Sequence, residues 1–98
     1  MFIEMKRFIV KKGFSDEIIK KFSEKKPVGK IDGVVDFTIM KKLKSDETEE
    51  VIIEMRWENQ EYFTNWKKSP AHKAGHANRP KEKPDFIVDV KMELYNTL

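Results

Sequence analysis

Apolar and polar residues alternate along four stretches of the chain, and two intervening stretches repeat apolar residues at helical spacing. Phe2 to Lys11 is the first alternating stretch, rich in β-branched and aromatic residues. Ile3, Met5 and Ile9 fall on one face and Phe2, Phe8 and Val10 on the other. A strand with apolar residues on both faces is expected to be covered on both sides. Gly13 ends it. Ser15 is then the predicted N-cap of a helix, with Asp16 and Glu17 in the first turn, where the helix dipole favours negative charge. Ile18, Ile19 and Phe22 supply its buried stripe. Lys20, Lys21, Lys25 and Lys26 supply its wet side and its end, and Pro27 and Gly29 stop it.

Gly33 opens the second strand, in which Val35, Phe37 and Ile39 alternate with Asp36 and Thr38. Lys44-Ser45-Asp46 holds turn-forming residues and predicts a hairpin connection. The third strand runs from Glu50 to Trp57, with Val51, Ile53, Met55 and Trp57 inward and Glu54 and Arg56 outward. Asn59 caps a second helix reaching Lys68. Ser69 and Pro70 then restart a short one through Ala77, with Ser as cap and Pro at the first helical position. A basic loop with two prolines, Arg79 to Pro84, precedes the last strand, Asp85 to Tyr95. That strand is expected to carry Phe86, Val88, Val90, Met92 and Leu94 on one face.

The order βαββαβ is the split-βαβ, ferredoxin-like α+β arrangement, an antiparallel sheet with two helical segments on one face. Residues 1–98 form a single domain. A domain of this size hides only roughly 60–65% of its unfolded surface. The helices leave one sheet face bare although the first strand has apolar residues there, so a second copy is the expected cover, giving a homodimer.

Composition removes several classes of chemistry. With no cysteine there is no disulfide, thiolate nucleophile, iron–sulfur cluster or Cys-ligated zinc. Twenty basic and 17 acidic residues are interspersed, for a net charge of +3. This argues against nucleic acid, which wants one strongly basic face. It suits a small dianion such as a substrate with two carboxylates. The first dozen residues lack the apolar run of a signal peptide, and no stretch nears the roughly 18 apolar residues of a membrane helix. A cytoplasmic protein with no membrane partner is expected. There is no phosphate-binding loop and no nucleophile elbow.

The chemistry concentrates in Trp57 to His76, which holds both tryptophans and both histidines. A neutral imidazole such as that of His76 is a common metal ligand and a frequent axial ligand to heme iron, and Gly75 beside it lets a flat macrocycle approach the backbone. The plain alternative is a histidine near a helix C-terminus. His72 and His76 share a helix face at i, i+4, but two ligands do not make a zinc site, and His72 is expected in the solvated first turn. Trp66 and Phe22 each read either as core anchors of amphipathic helices or as walls against a planar ligand. Trp57, with Met55, reads as core.

Trp57, Trp66, Ser69 and His76 follow the pattern W-x(8)-W-x-x-S-x(6)-H, which resembles the antibiotic-biosynthesis-monooxygenase (ABM) domain. Within it the chain is similar to the IsdG-type heme-degrading monooxygenases, and most to their HmoA-type branch. FIEMKRFIVKKGF, EEVIIEMRWE, KSPAHKAGH and KPDFIVDVKMELY carry that likeness over nearly the whole chain. The resemblance implies a dimeric α+β barrel with one heme per subunit, heme being both cofactor and substrate. It implies His76 as axial ligand to the heme iron and Trp66 as the residue that ruffles the porphyrin. It also implies ring opening with O2 and an external electron donor, such as a reductase, with release of iron. One position departs. The best-studied members carry an asparagine in the first strand where this chain has Lys6, as the HmoA-type branch also lacks it. Lys6 is a candidate donor to the distal ligand or to a heme propionate, or it faces solvent; Arg7 and Lys67 are further propionate candidates, with solvent exposure the simpler reading of both. Three readings stay open: oxygen-dependent heme degradation, a heme carrier without turnover, and a cofactor-free ABM monooxygenase acting on an aromatic small molecule.

Overall fold

The structure, a computed structural model, describes residues 1–25, 27–44, 47–77 and 84–98, with the side chains of residues 75–77 outside that description. The expected hairpin residues Ser45 and Asp46 and most of the basic loop lie outside it. Seven elements follow in order: β1 (Phe2–Lys11), α1 (Ser15–Ser23), β2 (Val34–Lys41), β3 (Thr48–Trp57), α2 (Gln60–Lys68), α3 (Pro70–Ala77) and β4 (Ile87–Asn96). The strands form one antiparallel sheet in the order β2-β3-β1-β4. This is the ferredoxin-like arrangement, with the second helical segment broken at Ser69 as the sequence predicts.

The inner face of the two central strands explains where a site can form. In β1 it reads Phe2, Glu4, Lys6, Phe8, Val10, and in β3 it reads Trp57, Met55, Ile53, Val51. At one end Phe2 and Trp57 pack with Val34 and with Phe63 of α2. At the other Val10, Val51 and Ile53 pack with Ile18 of α1. Each helix therefore caps one end of the sheet, and the middle of the face, at Glu4, Lys6 and Met55, is left between two cores. Trp57 is fully buried, and its ring meets Phe63 edge-on at 5.8 Å.

Three local expectations change. Ser15 is not the cap of α1: it is the first helical residue, Phe14 holds the cap position and offers no side-chain hydrogen bond. The helix start is served from β3 instead. Glu49 Oε1 accepts the N–H of Gly13 at 2.7 Å and of Ser15 at 3.3 Å, and Lys41 Nζ lies 3.3 Å from Oε2. The N–H groups of Gly13 and then Ser15 hold the Glu49 carboxyl down at about 2, with Lys41 adding to them against the opposing effect of burial. In β2 a register shift between Val34 and Asp36 leaves Val35 as an extra residue. Val34 faces the core and Val35 is exposed, so the alternation holds only from Phe37 onward.

In β4 a second shift, opposite Ile9 and Val10, makes Val88 the extra residue. Ile87 pairs with Val10 and joins the core, so Phe86 and Val88 do not continue the row formed by Val90, Met92 and Leu94. That row lies on the same face as the helices, opposite Phe8, Lys6 and Glu4. It sits on an edge strand beyond α1 and α2 and is 43–49% exposed. The opposite sheet face carries the apolar residues of β1 that the sequence places there, interleaved with charge. It carries ion pairs, Arg7 with Glu50 (3.9 Å) and Glu93 (3.6 Å) and Arg56 with Glu54 (2.7 Å), beside Ile3, Met5 and Ile9.

Candidate functional site

The gap between the two cores is a cleft of about 280 Å³. Its floor is Glu4 and Lys6 of β1, Met55 of β3 and Phe37 of β2. Phe22 of α1 stands on one side. Trp66 and Lys67 of α2 and His72 of α3 stand on the other. Ile31 and Trp66 also border a second, more polar cleft of about 370 Å³ that includes Asp32, Asn65 and Ser69. The first volume lies just below the roughly 300–1,000 Å³ of ligand pockets and the second just inside that range, and Trp66 borders both.

The sequence around Ser69 fixes Trp66 in this wall. Asn59 Oδ1 accepts the N–H of Tyr62 and starts α2 as a side-chain cap. At Ser69 the chain bends. Ser69 Oγ donates to the Trp66 carbonyl at 2.7 Å and accepts the His72 N–H at 3.2 Å, closing α2 and opening α3 with one hydroxyl. Pro70, without an N–H, occupies the first helical position. The bend turns α3 so that His72 meets the Trp66 indole edge-on, with centroids 5.4 Å apart. His72 is thus half-buried in the cleft wall rather than solvated in a first turn.

Charge is unevenly placed. Three lysines line the cleft, Lys6, Lys25 and Lys67, against one carboxylate, Glu4. Lys25 Nζ also lies 5.7 Å from the centre of the Phe22 ring, which in turn packs on Phe8 at 5.3 Å. Lys67 Nζ is 3.5 Å from Glu4 Oε2 and 5.3 Å from the Phe63 ring, so it is a half-buried wall residue and not a solvated one.

Phe22, Lys6, Trp66 and Lys67 are therefore brought to one place. Arg7 is not: the pleat sends it to the opposite sheet face, to Glu50 and Glu93, away from any ligand in the cleft. Trp57 is core, as expected. His76 falls within α3, and its side chain is outside the described residues. Among the described residues no group of three or more His, Asp or Glu side chains gathers to hold a metal ion, and no helix is long and apolar enough to cross a membrane. Glu4, Met55 and Phe37 were not singled out from the sequence. For Glu4 the signal was available, since alternation from Phe2 to Phe8 puts it on the inner face.

The family model for antibiotic biosynthesis monooxygenases matches residues 1–78. A heme-degrading monooxygenase, HmoA, from Bacillus subtilis is 37% identical over 98% of this chain and 90% of its own length. A staphylobilin-producing heme oxygenase from Staphylococcus haemolyticus is 31% identical over 96% of this chain and 90% of its own. Among solved structures, a candidate antibiotic biosynthesis monooxygenase from Bacillus cereus superposes with a TM-score of 0.81 at 34% identity, over 96% of this chain and 89% of that one. The heme-degrader MhuD from Mycobacterium tuberculosis, with two hemes in its active site, superposes with a TM-score of 0.75 at 19% identity, over 100% of this chain and 96% of that one, and so supports the fold.

Proposed function

Because the chain belongs to the antibiotic biosynthesis monooxygenase family, we propose that it is a heme-degrading monooxygenase whose substrate lies in the cleft between α1, α2 and the middle of the sheet. The observation that carries this reading is the composition of that cleft. Phe22, Phe37, Met55 and Trp66 offer apolar walls to a flat ring, and Lys6, Lys25 and Lys67 offer cations to its two carboxylates. Heme, when bound, would supply the iron at which oxygen is activated, and the cleft residues would bind and orient it. His76 is the proposed axial ligand, on the same short helix as His72. Trp66, held by the Ser69 bend, is the residue set to bear on the ring. Phe22 faces it from α1, and Lys6 is the donor on the strand side. An external electron donor, a reductase in a cytoplasmic setting, belongs to the same proposal.

A homodimer is part of it too. Val90, Met92 and Leu94 form an exposed apolar row on edge strand β4, which pairs with β1 alone among the described strands. Such a row is an interface in waiting, and a second copy is its proposed cover.

The test is a heme titration of wild type and His76→Ala, followed at the Soret band, with ascorbate then added in air. One heme per chain, lost in the variant, with bleaching on reduction, is the expected result. Tight binding without bleaching would make the chain a carrier, a reading that Lys6 in place of the family asparagine favours, and Lys6→Asn would then restore turnover. An equal, unsaturable spectrum from both proteins would end the heme reading and leave an aromatic small molecule as the ligand class.

A further inference from the structure

Among the described residues two carboxylates are buried, Glu49 and Glu4, and they are served differently. Glu49 takes two backbone N–H groups and Lys41, and ties β3 to the start of α1. Glu4 is 5% exposed and pairs with the Lys67 ammonium at 3.5 Å. Its Oε2 has no hydrogen bond among the described residues. Burying a carboxylate costs free energy that a single ion pair does not reliably return, and apolar residues in both places are often as stable or more so. On the same face its neighbours are Phe2 on one side and Lys6 on the other, with Phe8 and Val10 beyond. A carboxylate at Glu4 is therefore not what packing selects. It is what a cleft floor needs if charge at that point matters to a ligand.

The elements around it agree. The charged and titratable groups lining the same cleft are Lys6 from β1, Lys25 from the segment after α1, Lys67 from α2 and His72 from α3. The three ammoniums against one carboxylate leave two positive charges, which matches a substrate with two carboxylates. Glu4 neutralises the ammonium adjacent to Trp66 in sequence. It also anchors it, because an ammonium drawn to β1 holds the last turn of α2, and the indole next to it, against the sheet.

Resting on the heme reading above, we propose that Glu4 is a positioning residue of the site: its pair with Lys67 sets the charge presented to a bound porphyrin and holds the turn that carries Trp66. The pair is expected to act on the iron in opposite directions when either half is lost. A negative charge nearby favours the ferric form and a positive charge the ferrous form.

The experiment is the ferric/ferrous midpoint potential of the heme-loaded protein, by spectroelectrochemistry, for wild type, E4Q, K67M and the double variant, with thermal melting of each unloaded chain. E4Q is expected to raise the midpoint and K67M to lower it. The double variant should return most of the way to wild type, with melting unchanged or higher in the double variant. Shifts of the same sign, or no shift in either single variant while heme is bound, overturn the proposal and leave the functional reading intact. A wild type that binds no heme through His76 takes down both. Should E4Q melt too low to load, Glu4→Asp keeps the charge and must keep the wild-type midpoint; a midpoint displaced as far as that of K67M overturns the pairing.

Discussion

Replacing Gly33 by alanine tests how the sequence before β2 holds the functional helix. Gly33 has φ of +87°, a backbone conformation that side-chain-bearing residues rarely adopt. A Cβ built there would stand 2.2 Å from Cγ and 2.4 Å from Cβ of Tyr62. Tyr62 is one turn before Trp66 on α2, and the Gly33 carbonyl accepts the N–H of Glu58 at 2.8 Å, just ahead of that helix. The bare glycine is thus the surface on which α2 rests. The left-handed backbone alone costs an alanine about 1–2 kcal/mol. Overpacking against Tyr62, with backbone on both sides, costs about 1–3 kcal/mol more. Gly13 supplies the internal control: its φ is +92°, and a Cβ there would meet nothing within 4 Å. Gly13→Ala therefore reports the backbone cost, and the difference between the two variants reports the Tyr62 contact. Urea denaturation of all three proteins at one fixed protein concentration gives both numbers. Gly33→Ala is expected to be the less stable variant by about 1–3 kcal/mol and to bind heme more weakly, because α2 must move outward with Trp66. Equal destabilisation of the two variants would refute the close-packing argument.

Other outcomes follow from the same structure. Truncating Ile53, 3% exposed in the core under α1, to alanine should cost about 2–5 kcal/mol in denaturant unfolding, and a cost below 1 kcal/mol would mean that this core is not formed as described. The Glu49 carboxyl is lowered from its ordinary 4.5 to about 2 in the fold. Its stabilising effect is therefore present above pH 4.5 and lost as pH falls towards 2. Melting followed across that window should show Glu49→Gln less stable than wild type near neutrality and converging with it in acid; parallel curves would exclude the role. Met92→Glu, on the exposed β4 row, is expected to give monomers by sedimentation velocity where wild type gives dimers, with the far-ultraviolet circular dichroism unchanged.

Much of this architecture could be read from residue alternation. The rows Val51, Ile53, Met55, Trp57 and Phe2, Phe8, Val10 were legible because a strand in a sheet has a period of two; that the second of these, and not Ile3, Met5 and Ile9, faces the helices is what the structure adds. Alternation failed where a single residue is inserted. The bulges at Val35 and Val88 shift the register, and nothing in an uninterrupted β-branched run marks the extra residue. The start of α1 departs from its local sequence for a related reason. Ser15 has the right chemistry, but the acceptor that serves that helix start comes from Glu49, 34 residues further along the chain. The Asn59 and Ser69 caps were legible because their partners are local. In the site, Trp66, Phe22 and Lys6 could be named as candidates, yet sequence could not say that they meet. That depends on two helices capping opposite ends of the sheet and leaving its middle open. The pairing of Glu4 with Lys67 spans the chain and has no local signal, whereas the strand period puts Arg7, one residue from Lys6, on the opposite face from the cleft.

The central claim is that this cleft opens the heme ring, and iron release measures that most directly. Heme-loaded wild type would be reduced in air with catalase present, and ferrous iron counted with a chromogenic chelator while the Soret band is followed. Iron appearing in step with Soret loss, at one per heme consumed and abolished by His76→Ala, is the expected result. A Soret band that persists under reductant, or bleaching that catalase suppresses, would contradict the account and leave the chain as a protein that holds heme without degrading it.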